Sequence, residues 1–203
     1  MAAPRVVVFD LGKVLLDFDY GRAAAGIAQH GKLSPGEVRK FIDQSPLLFR
    51  YETGLMTQAD FFSEVCAATG FKGDATEFAR AFGDIFDPIP SMIDLHAALR
   101  HRKVPTFIFS NTNEIAINHI RTSYPFFNQF DGYVFSYEHG AMKPKAKLYE
   151  AVERTTACNS LDILYLDDRA ENIEAGAARG WRVILHETPE KTLAAVKAAG
   201  LLA

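Results

Sequence analysis

Cysteine is almost missing from this chain. Cys66 and Cys158 are the only two in 203 residues, and neither their number nor their spacing suits a disulfide framework or a thiolate metal site. Both read as core thiols of a soluble, cytoplasmic protein. Long apolar runs are missing too: those present are strand-sized, so no bilayer span is expected. Val6–Phe9 is too short for the apolar region of a signal peptide and runs straight into Asp10, so no secretion signal is expected. No charge of one sign dominates, with 22 Lys and Arg against 25 Asp and Glu and a net charge of −3. Without a basic stripe or polybasic block, neither nucleic acid nor an anionic membrane is an expected partner. The six histidines (His30, His96, His101, His119, His139 and His186) lack a ligand spacing such as His-x-x-x-His. All six read as structural or solvated, although His139 precedes Lys143 closely enough to approach a site there. Repeats and low-complexity tracts are absent. What remains is 48% hydrophobic, enough for one ordinary domain or one domain with a modest insertion.

The first informative stretch is Arg5–Val14. Val6–Phe9 is a β-branched and aromatic run of the kind buried on both faces of a parallel sheet. It ends on Asp10, with Gly12 two residues on. In open α/β sheets ligands bind beyond the carboxyl ends of the strands, where this strand delivers a carboxylate. Alone, such an aspartate reads first as a turn or N-cap residue. Leu15–Tyr20 alternates weakly, like a small hairpin or flap, and Asp19 is a candidate N-cap for a helix from Tyr20. Asp17 and Asp19 suit flap and cap roles better than substrate contact.

From Gly21 to about Phe86 the pattern is helical. Ser34-Pro35-Gly36-Glu37 is a capping box with proline at the first helical position. Thr57 starts another helix with Phe61, Phe62 and Val65 on its apolar face, and Thr76–Phe82 reads as one more. Most phenylalanines here are expected in the core, with one or two lining a pocket. Asp87-Pro88-Ile89-Pro90 is a breaker cluster and the expected boundary; Ser91 is the expected cap of the next helix. Strands then alternate with helices: Pro105–Phe109, Glu114–Thr122, Gly132–Phe135, Lys145–Thr156, Ile163–Leu166, Ala170–Arg179 closed by Gly180, Trp181–Leu185 and Pro189–Ala199. The expected fold is α/β, a Rossmann-like parallel sheet core of residues 1–17 and 88–203 with an inserted helical cap of residues 18–87. A cap over the carboxyl edge excludes water and selects substrates.

Asp10, Ser110-Asn111, Lys143-Pro144 and Asp167-Asp168 all fall at strand ends or loops expected on that one edge. Each suits phosphoryl transfer. Clustered carboxylates are costly without a cation, and a few hard oxygen ligands suit Mg²⁺. Ser110 and the N–H groups of the following helix start would cradle an anion. Lys143 supplies fixed positive charge, and Asp10 can attack phosphorus to give an aspartyl-phosphate that water hydrolyses.

In order and spacing, Asp10-Leu-Gly-Lys-Val, Ser110-Asn-Thr-Asn, Lys143-Pro and Asp167-Asp168-x-x-x-Asn172 resemble the four motifs of the haloacid dehalogenase-like hydrolase superfamily, across essentially the whole chain. The helical segment is similar to that superfamily's helical cap, and Tyr51-Glu-Thr-Gly-Leu-Met-Thr resembles a cap segment of a bacterial subgroup that includes glucose-1-phosphate phosphatases. The resemblance implies that Asp10 is nucleophile and metal ligand and that Ser110, Asn111 and Lys143 bind the phosphoryl group. It makes Asp168 the second metal carboxylate, with the Gly12 carbonyl a further ligand, while Asp167 and Asn172 support metal-bound waters and loop geometry. One departure stands out. Phosphatases of the superfamily usually carry a second Asp, the general acid and base, where this chain has Gly12. Its loss removes an effect of about a hundred- to ten-thousand-fold, although the glucose-1-phosphate phosphatase subgroup shares the glycine. A less basic leaving group, such as an anomeric sugar hydroxyl, depends less on protonation; Lys13 is a partial substitute or a solvated side chain.

The expected activity is a Mg²⁺-dependent phosphatase of a small phosphorylated metabolite, with a sugar phosphate favoured. The alternatives are a metal-free 2-haloacid dehalogenase using Asp10, which Asp167-Asp168 argues against, and a catalytically weak binder of phosphorylated ligands. The oligomeric state is left open.

Overall fold

The computed structural model describes residues 3–43 and 45–202. Its strands, in chain order, are β1 (Val6–Phe9), β2 (Leu16–Phe18), β3 (Phe86–Pro88), β4 (Thr106–Ser110), β5 (Gly132–Phe135), β6 (Ile163–Asp167) and β7 (Arg182–Leu185). Five of them form one parallel sheet in the order β5-β4-β1-β6-β7. β1 is central, with Phe9 opposite Ile108 of β4 and Leu166 of β6. The chain order reverses across β1, so the crevice beyond its carboxyl end is the place where such sheets bind ligands. The residues one step past this register are Asp10 and Asp167.

Helices pack around the sheet as the apolar spacing requires. Between β2 and β3 run α1 (Tyr20–Ala28), α2 (Pro35–Ile42), α3 (Pro46–Glu52), α4 (Gln58–Thr69) and α5 (Ala75–Gly83). After β3 come α6 (Pro90–His101), α7 (Glu114–Ser123), α8 (Ser136–His139), α9 (Ala146–Thr156), α10 (Ala170–Ala178) and α11 (Pro189–Ala198). The caps expected at Asp19, Ser34 and Thr57 are made: each side chain accepts a bond from a backbone N–H of its helix's first turn, with full capping boxes at Ser34–Glu37 and Thr57–Asp60.

Three local expectations change. Leu16–Phe18 pairs not within a local hairpin but antiparallel with Phe86–Pro88, because the helices between them return the chain to its starting point. The breaker cluster therefore contains the end of β3. Ser91 does not cap α6: the helix begins at Pro90, whose fixed φ and missing N–H suit a first helical position. Cys158 is buried, but Cys66 is only half-buried.

The sheet's two faces bury different clusters. Val6 and Val8 pack toward Tyr149, Tyr165 and Trp181, whereas Val7 and Phe9 join an apolar core continuous through α7 into the helices before β3. Phe61, Phe78 and Phe82 form the aromatic centre of those helices, all essentially fully buried. Truncating any one to Ala costs about 3–5 kcal/mol in comparable cores.

The last turn of α3 and the turn after it are fixed to the α/β layer at three points. The Tyr51 hydroxyl, stacked on Phe61, accepts a bond from the Ile115 N–H at the start of α7 (3.3 Å). The Glu52 carbonyl accepts from the Ser136 hydroxyl (2.5 Å). Gly54 has φ +73°, and a Cβ there would overlap the Tyr137 carbonyl oxygen. Gly54→Ala must therefore strain a left-handed backbone and push the turn off α8, at a cost of at least about 1–3 kcal/mol. Urea unfolding of the variant checks this; an unchanged midpoint would contradict the tight approach.

Candidate active site

Asp10 leaves the carboxyl end of β1 almost buried, at 7% exposure. One carboxylate oxygen accepts the Leu11 N–H (2.7 Å) and the Lys143 ammonium (2.9 Å). Lys143 reaches in from the loop between α8 and α9. Its other N–H groups go to Asp167 (2.7 Å) and the Phe109 carbonyl (3.0 Å). All three ammonium donors thus have protein partners, so Lys143 offers an anion its charge rather than a free N–H. Burial alone would lower its pKa, but Asp10 and Asp167 outweigh that and raise it, so the ammonium stays charged.

Asp167 is fully buried at the end of β6. It accepts from Lys143, the Tyr165 hydroxyl, the Arg169 N–H (2.8 Å) and the Asn172 amide (3.0 and 3.1 Å). Burial pushes its carboxyl up, yet Lys143 and these donors prevail and hold it below the usual range. With its lone pairs occupied, Asp167 positions Lys143 and the loop into α10. Asn172 serves the same loop, its carbonyl receiving the Tyr149 hydroxyl (2.8 Å). Asp168 is half-buried and faces the cleft; burial, then repulsion from Asp167, raises its pKa. Asp10 is pushed to about 7 by burial and the neighbouring carboxylates, against the pull of Lys143.

Ser110, at the end of β4, and Asn111 both line the cleft. The Asn111 amide is bonded reciprocally to the Lys143 backbone, accepting its N–H (2.8 Å) and donating to its carbonyl (3.3 Å). Two N–H groups of the expected α7 cradle are already taken. Ile115 N–H is bonded to Tyr51 and Ala116 N–H to the Asn113 side chain, because the helix starts three residues beyond Asn111 and is capped by its own Asn and a neighbouring turn.

Gly12 also lines the cleft, and its surroundings explain why no side chain stands there. A Cβ would lie 2.9 Å from Cε1 of Phe18, whose ring fills that space. Lys13 is no free substitute, since its ammonium pairs with Asp17 and lies 4.6 Å from the Phe18 ring centroid.

These residues share one cleft of about 600 Å³. Its floor is Asp10, Ser110, Lys143 and Asp168; its opposite wall is Phe18, Tyr20, Asp43, Leu48, Phe49 and Glu52. None of the six histidines lines it, His139 included. The sequence pattern of the haloacid dehalogenase-like hydrolases matches residues 4–180. The chain belongs to this family. This haloacid dehalogenase-like hydrolase is 26% identical over 141 residues to the sesquiterpene phosphatase of Aspergillus oryzae, covering 68% of this chain and 71% of the relative. A HAD family enzyme of Bacteroides thetaiotaomicron, solved with magnesium and inorganic phosphate, shares its fold at a TM-score of 0.77 and 21% identity, over 89% of this chain and 93% of the other. The L-2-haloacid dehalogenase of Xanthobacter autotrophicus has a TM-score of 0.65 at 16% identity, over 96% and 83%. In the hydrolase described here, the four motifs read from the sequence converge on the cleft floor.

Two residues escaped the sequence reading. Tyr165 lies two positions before Asp167 on one strand, and the period-two alternation of a strand was a usable signal that their side chains share a face. Glu52 sat inside a quoted segment, but nothing local shows where its carboxyl points. Burial raises that carboxyl to about 7, against the bonds it accepts from Tyr20 (3.3 Å) and Asn113.

Proposed function

We propose that this hydrolase is a Mg²⁺-dependent phosphatase of a small phosphorylated metabolite, a sugar phosphate favoured, acting through an aspartyl-phosphate on Asp10. The observation that carries the reading is the floor of the cleft, where oxygens of Asp10, Asp167 and Asp168 lie within 4.8 Å of one another and Lys143 is the cation bonded to two of them. That balance calls for a further cation, and the oxygen donors suit a hard one. With Asp167 saturated, the ligands would be Asp10, Asp168 and the Gly12 carbonyl. When bound, Mg²⁺ would neutralise charge between the anionic nucleophile and the phosphoryl group.

The chain's own groups supply the rest. An Asp10 oxygen attacks phosphorus, Lys143 holds that carboxylate in place through its other oxygen, and Ser110 with Asn111 orients the phosphoryl oxygens. Residues 18–87 act as the cap over a core of residues 1–17 and 88–203. The cap wall presents Tyr20, Asp43 and Ser45 beside Leu48 and Phe49, a mixture that suits a hydroxylated carbon skeleton. The Aspergillus phosphatase supports phosphoryl chemistry without fixing the alcohol. A cytoplasmic setting fits both free cysteines and the lack of any helix, among the described residues, long and apolar enough to cross a membrane.

The test is phosphate release from a panel of phosphorylated metabolites with and without Mg²⁺. Metal-dependent release supports the proposal; halide release from 2-haloacids without metal, and no phosphate release, would replace it by the dehalogenase reading. Binding is checked separately by thermal melting. Mg²⁺ at about 100 times its Kd stabilises the folded state by about 2.7 kcal/mol, or roughly 5–10 °C for a chain of this size. Asp168→Asn is expected to lose most of that shift, and an equal shift in both proteins would remove Asp168 from the ligand set.

A further inference from the structure

The cleft holds a carboxyl group that the mechanism so far leaves idle, and the mechanism lacks a proton donor. Gly12 has no side chain, and a Cβ there would lie 2.9 Å from Cε1 of Phe18 and displace that ring. Lys13 is tied to Asp17. Of the acids lining the cleft, Asp10 and Asp168 are assigned to nucleophile and metal, and Asp43 is paired with Arg39 (3.3 Å). Glu52 remains. We propose that Glu52 is the general acid and base of the reaction, supplied from the last turn of α3 instead of from the position two residues beyond the nucleophile. This rests on the phosphatase reading above.

Three observations carry it. Glu52 lines the same cleft as Asp10, Ser110 and Asp168. Its carboxyl is held by the Tyr20 hydroxyl and the Asn113 side chain, so its position is set before substrate arrives. Its backbone is pinned to the α/β layer at Tyr51, at its own carbonyl and at Gly54, so it is registered to the strand ends that carry the other cleft residues. A carboxyl raised to about 7 by burial is also suited to both halves of the cycle.

In the first half an Asp10 oxygen forms a bond to phosphorus while the phosphorus–oxygen bond to the alcohol breaks. Its electron pair stays on the leaving oxygen, which takes the Glu52 proton. In the second half a water oxygen attacks the phosphorus of the aspartyl-phosphate, Asp10 leaves as carboxylate, and the water proton returns to Glu52. One ester and one water become one alcohol and one phosphate, and both carboxyl groups regain their starting states.

The experiment compares wild type, Glu52→Gln and Asp10→Asn on two Mg²⁺-loaded reactions: an alkyl phosphate, whose alkoxide must be protonated, and 2,4-dinitrophenyl phosphate, whose phenolate need not be. Glu52→Gln is expected to slow the alkyl ester about 10²- to 10⁴-fold. On the dinitrophenyl ester it releases a burst of about one phenolate per enzyme and then stalls as phosphoenzyme, since water is no longer activated. Asp10→Asn gives neither turnover nor burst. Equal slowing of both esters without a burst, or near-normal turnover of the alkyl ester, overturns the role of Glu52 while leaving the phosphatase reading intact. A wild type inactive on every ester removes the phosphatase reading, and this proposal with it. If Glu52→Gln does not fold, Glu52→Asp, one methylene shorter, serves instead. In a single turnover it should slow alcohol release from the alkyl ester at least tenfold and leave the rate of the dinitrophenolate burst little changed, and equal slowing of these two first steps would reject the proposal.

Discussion

Asp10→Asn is expected to abolish phosphate release, by about 10⁴-fold or more, the scale of loss when a covalent nucleophile is removed. The protein should remain folded. Asparagine keeps the side-chain oxygen that accepts from Leu11 and Lys143, and Lys143 retains Asp167. What disappears is the anion that, in the proposed mechanism, attacks phosphorus. The variant should also change how stability depends on pH. Asp10 in the metal-free protein is raised from 3.8 to about 7, so the folded state holds its proton more tightly than the unfolded chain. Stability linked to that group is fully present below about pH 4 and is lost as pH rises through about 7. Asp10→Asn has no such loss. Its stability relative to wild type should therefore increase between pH 5 and pH 8 in metal-free buffer, as read by urea midpoints. A constant difference would show that Lys143 compensates Asp10 fully.

Lys143→Met should be the most destabilising substitution in the cleft. It removes the ammonium between two carboxylates and leaves Asp167 buried with no cation. Breaking a buried pair from one side costs about 3–5 kcal/mol, which for a chain of this length is roughly 6–20 °C in Tm. Unlike a simple loss of packing, the deficit should depend on pH. In wild type, Asp167 is held below its usual range and contributes stability above the unfolded carboxylate pKa, lost as pH falls through the lower folded value. Without Lys143 the charged form of Asp167 is penalised, so the deficit should be larger at pH 8 than at pH 5. Thermal melts at both pH values decide this. Phosphate release should fall as well, because Asp10 loses the group that orients it. A pH-independent deficit would mean that methionine packing alone, not the missing charge, sets the cost.

Much of the fold was legible because its signals are local. The run Val6–Phe9 has no polar residue to place outward, and it became the fully buried centre of the sheet. Ser34, Thr57 and Asp19 are capping residues whose hydrogen bonds close within three positions, so context had little power to override them. Ser91 failed as a cap because the neighbouring Pro90 is a stronger local determinant of where a helix begins. β2 failed as a hairpin because strand pairing is a long-range choice: its partner lies beyond five helices, and nothing in Leu15–Tyr20 names it.

The site divides along the same line. The order and spacing of Asp10, Ser110, Lys143 and Asp167-Asp168 were fixed by chain chemistry, since a parallel sheet brings successive strand ends to one edge whatever the loops do. Tertiary structure alone decided three matters. Lys143 has all its donors occupied, which follows from burial between two carboxylates that are distant in sequence. Two N–H groups of the α7 N-terminus are taken before any anion arrives, because Tyr51 from another helix and the Asn113 cap reach them. Glu52 lines the cleft that also holds Asp10, because a glycine turn pressed against α8 and the Ser136 hydroxyl hold that segment in place. Sequence determines which groups a chain can bring to an edge; only packing determines which of their hydrogen bonds and charges remain free to meet a ligand.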